Sequence, residues 1–257
     1  MATSGSLYSA AYDFPRYPSE PRSSIMLAAT PRSGSTFLGI ELWRTGRFGS
    51  PLEYLNLARR VDMLPRLGNG DCIKYWREVK KVRTSSNGIF SFKAFVSDLH
   101  QVSLRCMDLL SDISSDYVIY LERRDKIGQT ISFAKAMQTS QWYSIAKPAR
   151  PAFYDTEYLD KLYQQLRSHE ESWERLFFKT DSEPLRIFYE DLIADKEETI
   201  RKIFEFCDIP FEGYAAVDLP ELSIQRDEES EKWRSTYLAE KIRKEFSMKA
   251  DRSDHLL

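Results

Sequence analysis

The sequence predicts an α/β fold with a central parallel sheet covered by helices on both faces. Three observations predict it. Short apolar runs of strand length alternate with longer stretches of helical periodicity, the pattern of parallel strands joined by crossover helices. The first apolar run passes through a tight glycine-containing loop directly into a helix. The chain has 257 residues, enough for one domain with a substantial core.

In chain order, residues 1–24 (MATSGSLYSAAYDFPRYPSEPRSS) read from their Ser, Pro, Tyr and Gly content as a flexible leader, and residues 25–257 as a single domain. Residues 25–29 (IMLAA) suit a buried strand. A helix follows the loop at 30–36, begins with Phe37, Leu38 and Ile40, and closes at Gly46. Residues 52–64 contain a second helix and 76–82 a third. Residues 89–96 (IFSFKAFV) form the second strand, 102–110 a helix, and 117–121 (YVIYL) the third strand, stopped by the charged ERRD. Helices are expected over 126–139, 155–178, 196–207 and 231–246, with a fourth strand at 185–188.

Formal net charge is −2, which argues against a general nucleic-acid binder but allows a local basic pocket. No apolar run reaches the roughly 18–20 residues of a membrane helix, and no secretion signal is visible at the start. Cys72, Cys106 and Cys207 are far apart and in no metal-ligand spacing, so they read as reduced core cysteines of a cytoplasmic protein.

Two segments carry anion-binding chemistry. In Thr30-Pro31-Arg32-Ser33-Gly34-Ser35-Thr36, a strand end turns through a glycine into a helix N-terminus, where convergent N–H groups and the helix dipole favour an anion. Ser33, Ser35 and Thr36 add hydroxyl donors and Arg32 adds a guanidinium fork. A helix capped by Ser33 or Ser35 without a ligand is the plainer explanation. The loop is not a Walker A sequence, because Gly34 is followed by Ser35 rather than Lys. The second segment is 117–133, YVIYLERRDKIGQTISF, where a strand ends in Arg123-Arg124 and Ser132 follows on the next helix. Carboxyl ends of strands are where open α/β sheets bind ligands. Two anion sites suit a nucleotide with phosphates at both ends.

These segments resemble the phosphosulfate loop and the 3′-phosphate strand–helix of sulfotransferases that use 3′-phosphoadenosine 5′-phosphosulfate (PAPS). The nearer resemblance is to the bacterial trehalose 2-sulfotransferase family. It is carried by RSGST (32–36), the TG turn at 45–46, Gly49-Ser50-Pro51-Leu52-Glu53, ISFAKAMQTSQW (131–142) and PELSIQRDEESEKW (220–233). The resemblance spans residues 25–240. It implies the P-loop-like three-layer sulfotransferase fold, PAPS as co-substrate with no metal, a small-molecule or glycolipid carbohydrate acceptor, and a homodimer. Arg32, Ser33, Gly34, Ser35 and Thr36 would hold the 5′-phosphosulfate, with Arg32 also stabilising the leaving group. Arg123 and Ser132 would hold the 3′-phosphate, with Arg124 one residue away as the alternative. Glu53 would be the general base and His100 the rival.

Ser50 stands where the family often has a second Glu beside the acceptor, which leaves the identity of the sugar open. Gln138, Gln141 and Trp142 are candidate sugar contacts, with Trp142 equally suited to a core. Gln225 to Asp227 resembles a loop that closes over the donor. Tyr189-Glu190-Asp191-Leu192 is common in sulfotransferases, although a turn explains it without catalysis. Against the sulfotransferase reading stand a kinase-like phosphotransferase and a catalytically silent nucleotide-binding module.

Overall fold

The computed structural model describes residues 6–57, 63–142, 149–211, 217–219, 221 and 227–254. Four parallel strands, β1 (Ser23–Ala29), β2 (Ile89–Phe95), β3 (Tyr117–Glu122) and β4 (Leu185–Phe188), form a sheet in the order β2-β1-β3-β4. The helices are α1 (Ser35–Arg44), α2 (Cys72–Arg83), α3 (Val96–Arg105), α4 (Met107–Asp112), α5 (Lys126–Thr139), α6 (Thr156–Thr180), α7 (Tyr189–Ala194), α8 (Lys196–Phe206) and α9 (Glu228–Asp254). No described helix is long and apolar enough to cross a membrane.

The chain divides into two compact units, Met1–Arg124 with Ser168–Pro220 and Asp125–Arg167 with Glu221–Leu257. The first unit holds the sheet. One face presents Ile25 and Leu27 of β1, Ile119 and Leu121 of β3 and Ile187 of β4, packed with Leu38 and Leu42 of α1 and Ile203 and Phe204 of α8. Residues of opposite parity point the other way, as strand geometry requires. There Phe90 and Phe92 meet Trp76 of α2, and Tyr120 meets Trp173 and Phe177 of α6. The Trp173 indole N–H donates to the Ala29 carbonyl at 2.9 Å, so even the buried polar atom has a partner. Helices therefore cover both faces of the parallel sheet, as expected.

The second unit is helical. Ile131, Phe133 and Ala134 of α5, Leu159, Leu162 and Leu166 of α6, and Trp233 and Tyr237 of α9 share one core. Asp125 caps α5 by accepting the Gly128 N–H at 3.0 Å and is held by Arg234 at 2.7 Å.

Three expectations need correction, and the helix expected within 52–64 is described only in part. Residues 52–56 are not helical: Leu52 forms a parallel bridge with Phe92, and the Lys93 N–H donates to the Leu52 carbonyl at 2.9 Å. Leu57 and residues 63–64 are helical, and residues 58–62 lie outside the described set. The helix read at 102–110 is two helices, broken at Cys106. Cys106 is bonded to Cys72 at the start of α2 and is not a reduced core cysteine. Distance in sequence concealed this pairing, and the argument for a cytoplasmic protein from free thiols lapses with it. Cys207 alone is free and buried. Finally, the leader is tethered: Phe14 and Tyr17 donate N–H groups to the Val82 and Lys81 carbonyls at 2.9 and 2.8 Å. The end of α2 needs partners for its last carbonyls, and the leader supplies them.

Candidate active site

β1 ends at Ala29 and the chain turns through Thr30 to Gly34 into α1. Gly34 is the N-cap of α1 with φ +93°, a conformation open to glycine. A Cβ there would stand 2.3 Å from Cδ2 of Tyr189, so the Tyr189 ring requires the glycine. Arg32 also has positive φ (62°), a left-handed residue of the kind that recurs at ligand loops. Arg123 Nη1 donates to the Arg32 carbonyl at 3.3 Å and its guanidinium lies 4.8 Å from the Tyr189 ring centroid. Loop, arginine and tyrosine are thus one assembly.

The Leu38 N–H makes the first α-helical bond, to the Gly34 carbonyl at 3.0 Å. The N–H groups of the preceding turn are those a helix leaves for an outside acceptor. Ser33 is fully buried and its hydroxyl has no hydrogen-bond partner among the described residues. A buried hydroxyl without a partner is costly. An anion oxygen in the loop would satisfy it, so this donor set fits the phosphosulfate end of PAPS.

Lys93 of β2, only 2% exposed, reaches over the same loop. Its Nζ donates to Thr36 Oγ1 at 2.8 Å and pairs with Glu53 Oε1 at 2.8 Å. Removing two charges from water is expensive unless they meet each other and further polar atoms; Lys93 meets both conditions. Gly39 lets α1 approach Pro51 closely, because a Cβ would stand 2.8 Å from the Pro51 carbonyl. Together with the Leu52 bridge, this fixes Glu53 beside the loop.

The remaining sequence candidates separate. Arg124 turns away: its guanidinium pairs with Asp191 and lies 4.0 Å from the Phe188 ring centroid. Hydrogen bonding to Asp191 pushes its pKa up and that of Asp191 down. Ser132 lies on α5, in the second unit. His100 is exposed on α3. Ser50, expected near the acceptor, is fully buried, its hydroxyl 2.8 Å from that of Tyr54, which also donates to the Ser50 carbonyl at 2.6 Å. Gln138 is likewise committed: Nε2 donates to the Phe153 carbonyl at 3.0 Å and Oε1 accepts the Phe153 N–H at 2.8 Å. Trp142 packs on the second unit's core near Phe133, and the Gln141 N–H donates to Thr139 Oγ1 at 3.2 Å. Burial and intramolecular partners, which sequence does not display, thus engage Ser50 and Gln138 within the fold. Of the closing segment, Gln225 and Arg226 lie outside the described residues. Asp227 caps α9, accepting the Ser230 N–H at 2.8 Å, and pairs with Lys135 at 2.8 Å.

Sequence reasoning missed Lys93 and Tyr189 as site residues. A lysine inside an otherwise apolar β-run was the available signal for the first. For Tyr189 the signal was the shared YEDL run, which was explained as a turn and is the short helix α7.

A family model described as Stf0 sulphotransferase matches residues 24–240. Trehalose 2-sulfotransferase of Mycolicibacterium smegmatis is 25% identical over 258 residues, covering 85% of this chain and 96% of that protein. Trehalose 2-sulfotransferase of Mycobacterium tuberculosis is 25% identical over 257 residues, covering 84% and 94%. Among solved structures, the sulfotransferase domain from the curacin biosynthetic pathway aligns with 76% of each chain at 17% identity and a TM-score of 0.42.

Proposed function

Because the chain belongs to the Stf0 sulphotransferase family and is a sulfotransferase, we propose that it transfers the sulfuryl group of PAPS to a hydroxyl of a carbohydrate, with Glu53 as general base. The observation that carries this reading is the Glu53–Lys93–Thr36 chain, which links a carboxylate to the anion loop through two contacts of 2.8 Å. The names of the two trehalose-sulfating relatives support a carbohydrate acceptor.

Arg32 to Thr36 hold the phosphosulfate through loop N–H groups, hydroxyls and the Arg32 guanidinium. Glu53 takes the proton of the acceptor hydroxyl as its oxygen attacks sulfur from the side opposite the leaving group. The bond from sulfur to the bridging oxygen breaks, and adenosine 3′,5′-bisphosphate leaves with the bonding pair. Charge growing on that bridging oxygen is met by the loop donors and Arg32. Lys93, bonded to loop and base together, is the residue placed to follow this charge. Arg123 holds the 3′-phosphate; the same role for Ser132 follows from the resemblance alone.

The test is turnover with PAPS and a panel of sugars that includes trehalose, read as sulfated product. Glu53→Gln is expected to reduce kcat by about 10²–10⁴-fold while binding of adenosine 3′,5′-bisphosphate changes less than about twofold. Retained turnover removes Glu53 from the base role. Stabilisation by ATP with Mg²⁺ and none by the bisphosphate would overturn the donor assignment.

A further inference from the structure

The tethered leader reaches Glu53 itself. Arg83, fully buried at the end of α2, gathers this segment. Its Nη1 donates to the carbonyls of Leu7 at 3.1 Å and Tyr12 at 3.3 Å, and its Nη2 to that of Ser9 at 3.1 Å. Asp13 completes the clamp, 3.0 Å from Arg83 Nη2, and pairs also with Arg66. Three carbonyls and a carboxylate on one buried guanidinium fix the path of residues 7–13 closely, because Arg presents its donors in a rigid planar fork.

Held in this way, Tyr8 is driven inwards. It is 7% exposed, and its ring meets Tyr54 edge-on with centroids 6.2 Å apart. Its hydroxyl accepts the backbone N–H of Glu53 at 3.2 Å. On the other side of the same peptide group, the Leu52 carbonyl accepts the Lys93 N–H. The peptide that leads into Glu53 is therefore pinned at its oxygen by the sheet and at its nitrogen by the leader.

We propose that residues 7–13 are a strap that sets the position of the base, with Tyr8 as the positioning residue and Arg83 as its anchor. The proposal rests on Glu53 being the base. Residues 50–54 have no regular ladder beyond the single Leu52 bridge, so removing the Tyr8 hydroxyl takes away a bond that holds the Glu53 amide and gives the residue more freedom about its backbone. Small displacements of a reacting group have large effects on rate.

The test compares wild type, Tyr8→Phe, Glu53→Gln and the double variant. Turnover is read as bisphosphate released from PAPS with trehalose as acceptor, and exchange of the Glu53 amide hydrogen is followed by NMR without any acceptor. Tyr8→Phe is expected to lower kcat about fivefold, the worth of one neutral hydrogen bond, with KM for PAPS within about twofold. Added to Glu53→Gln it should cause no further loss, because residues that act as a unit are non-additive. The Glu53 amide should exchange about tenfold faster. An unchanged kcat, an equal loss in both backgrounds, or unchanged exchange overturns the strap. An active Glu53→Gln instead removes the base assignment, which the exchange measurement does not address. Should Tyr8→Phe fail to fold, Asp13→Asn loosens the same strap from its other end and should give the same kcat loss and faster exchange.

Discussion

Replacing Gly34 by alanine tests whether the loop, Tyr189 and Arg123 act as one assembly. The new Cβ would stand 2.3 Å from Tyr189 Cδ2, whereas ordinary contact begins near 3.4 Å. The ring must then retreat by about 1.1 Å or the loop must move. An alanine at φ +93° adds about 1–2 kcal/mol of backbone strain, and overpacking adds about 1–3 kcal/mol. The Tyr189 ring also carries the Arg123 guanidinium, so its retreat withdraws support from the group assigned to the 3′-phosphate. Titration calorimetry with adenosine 3′,5′-bisphosphate should show a Kd raised at least about tenfold, alongside a lowered Tm. Gly34→Ala/Tyr189→Ala removes the clash and should recover part of the Tm without recovering affinity. Wild-type affinity in Gly34→Ala would refute the coupling between loop and arginine. Full recovery of affinity in the double variant would refute a role for the ring.

Arg123→Ala should weaken bisphosphate binding by about 1.5–3 kcal/mol, the range for a hydrogen bond to a charged group, whereas Arg124→Ala, which loses an exposed pair with Asp191, should change the same titration less than about twofold. The Cys72–Cys106 bond closes a segment with sequence separation 34, so its loss in Cys72→Ser should lower stability by about 2–4 kcal/mol, read by urea unfolding with and without reductant; identical curves would contradict the pairing. At Asp227 burial raises the carboxyl pKa, but hydrogen bonds from Lys135 and Ser230 outweigh it and hold the value at about 2, below the ordinary 3.8 of an aspartate. A depressed folded-state pKa means that its stabilisation is present above pH 3.8 and is lost as pH falls towards 2. Asp227→Asn should therefore show less acid destabilisation of α9 in that window by circular dichroism.

Much of the fold was legible because parallel strands buried on both faces leave apolar runs that need no tertiary information. Strands at 25–29, 117–121 and 185–188 and the helix at 126–139 lie within a residue or two of β1, β3, β4 and α5. The anion loop was legible for a similar reason, since its glycine, hydroxyls and arginine are contiguous. The non-helical path of residues 52–56 was not legible because Leu52 takes its backbone partner from β2, about forty residues on in sequence. The disulfide was misread because spacing says nothing about which helix ends meet.

By itself, the sequence determined the strand–loop–helix chemistry and the succession of strands and helices along the chain, because these depend on local residue type; Glu53 and Arg123 became candidates through the family resemblance. Tertiary structure alone decided which charged group meets which. Lys93 from β2 bridges Thr36 and Glu53, Tyr189 fills the space that Gly34 leaves, and Arg124 turns to Asp191 while Arg123 turns to the loop. The physical reason is burial. A lysine, a serine hydroxyl or an arginine fork acquires its role from the atoms that replace water around it, and those atoms come from distant parts of the chain.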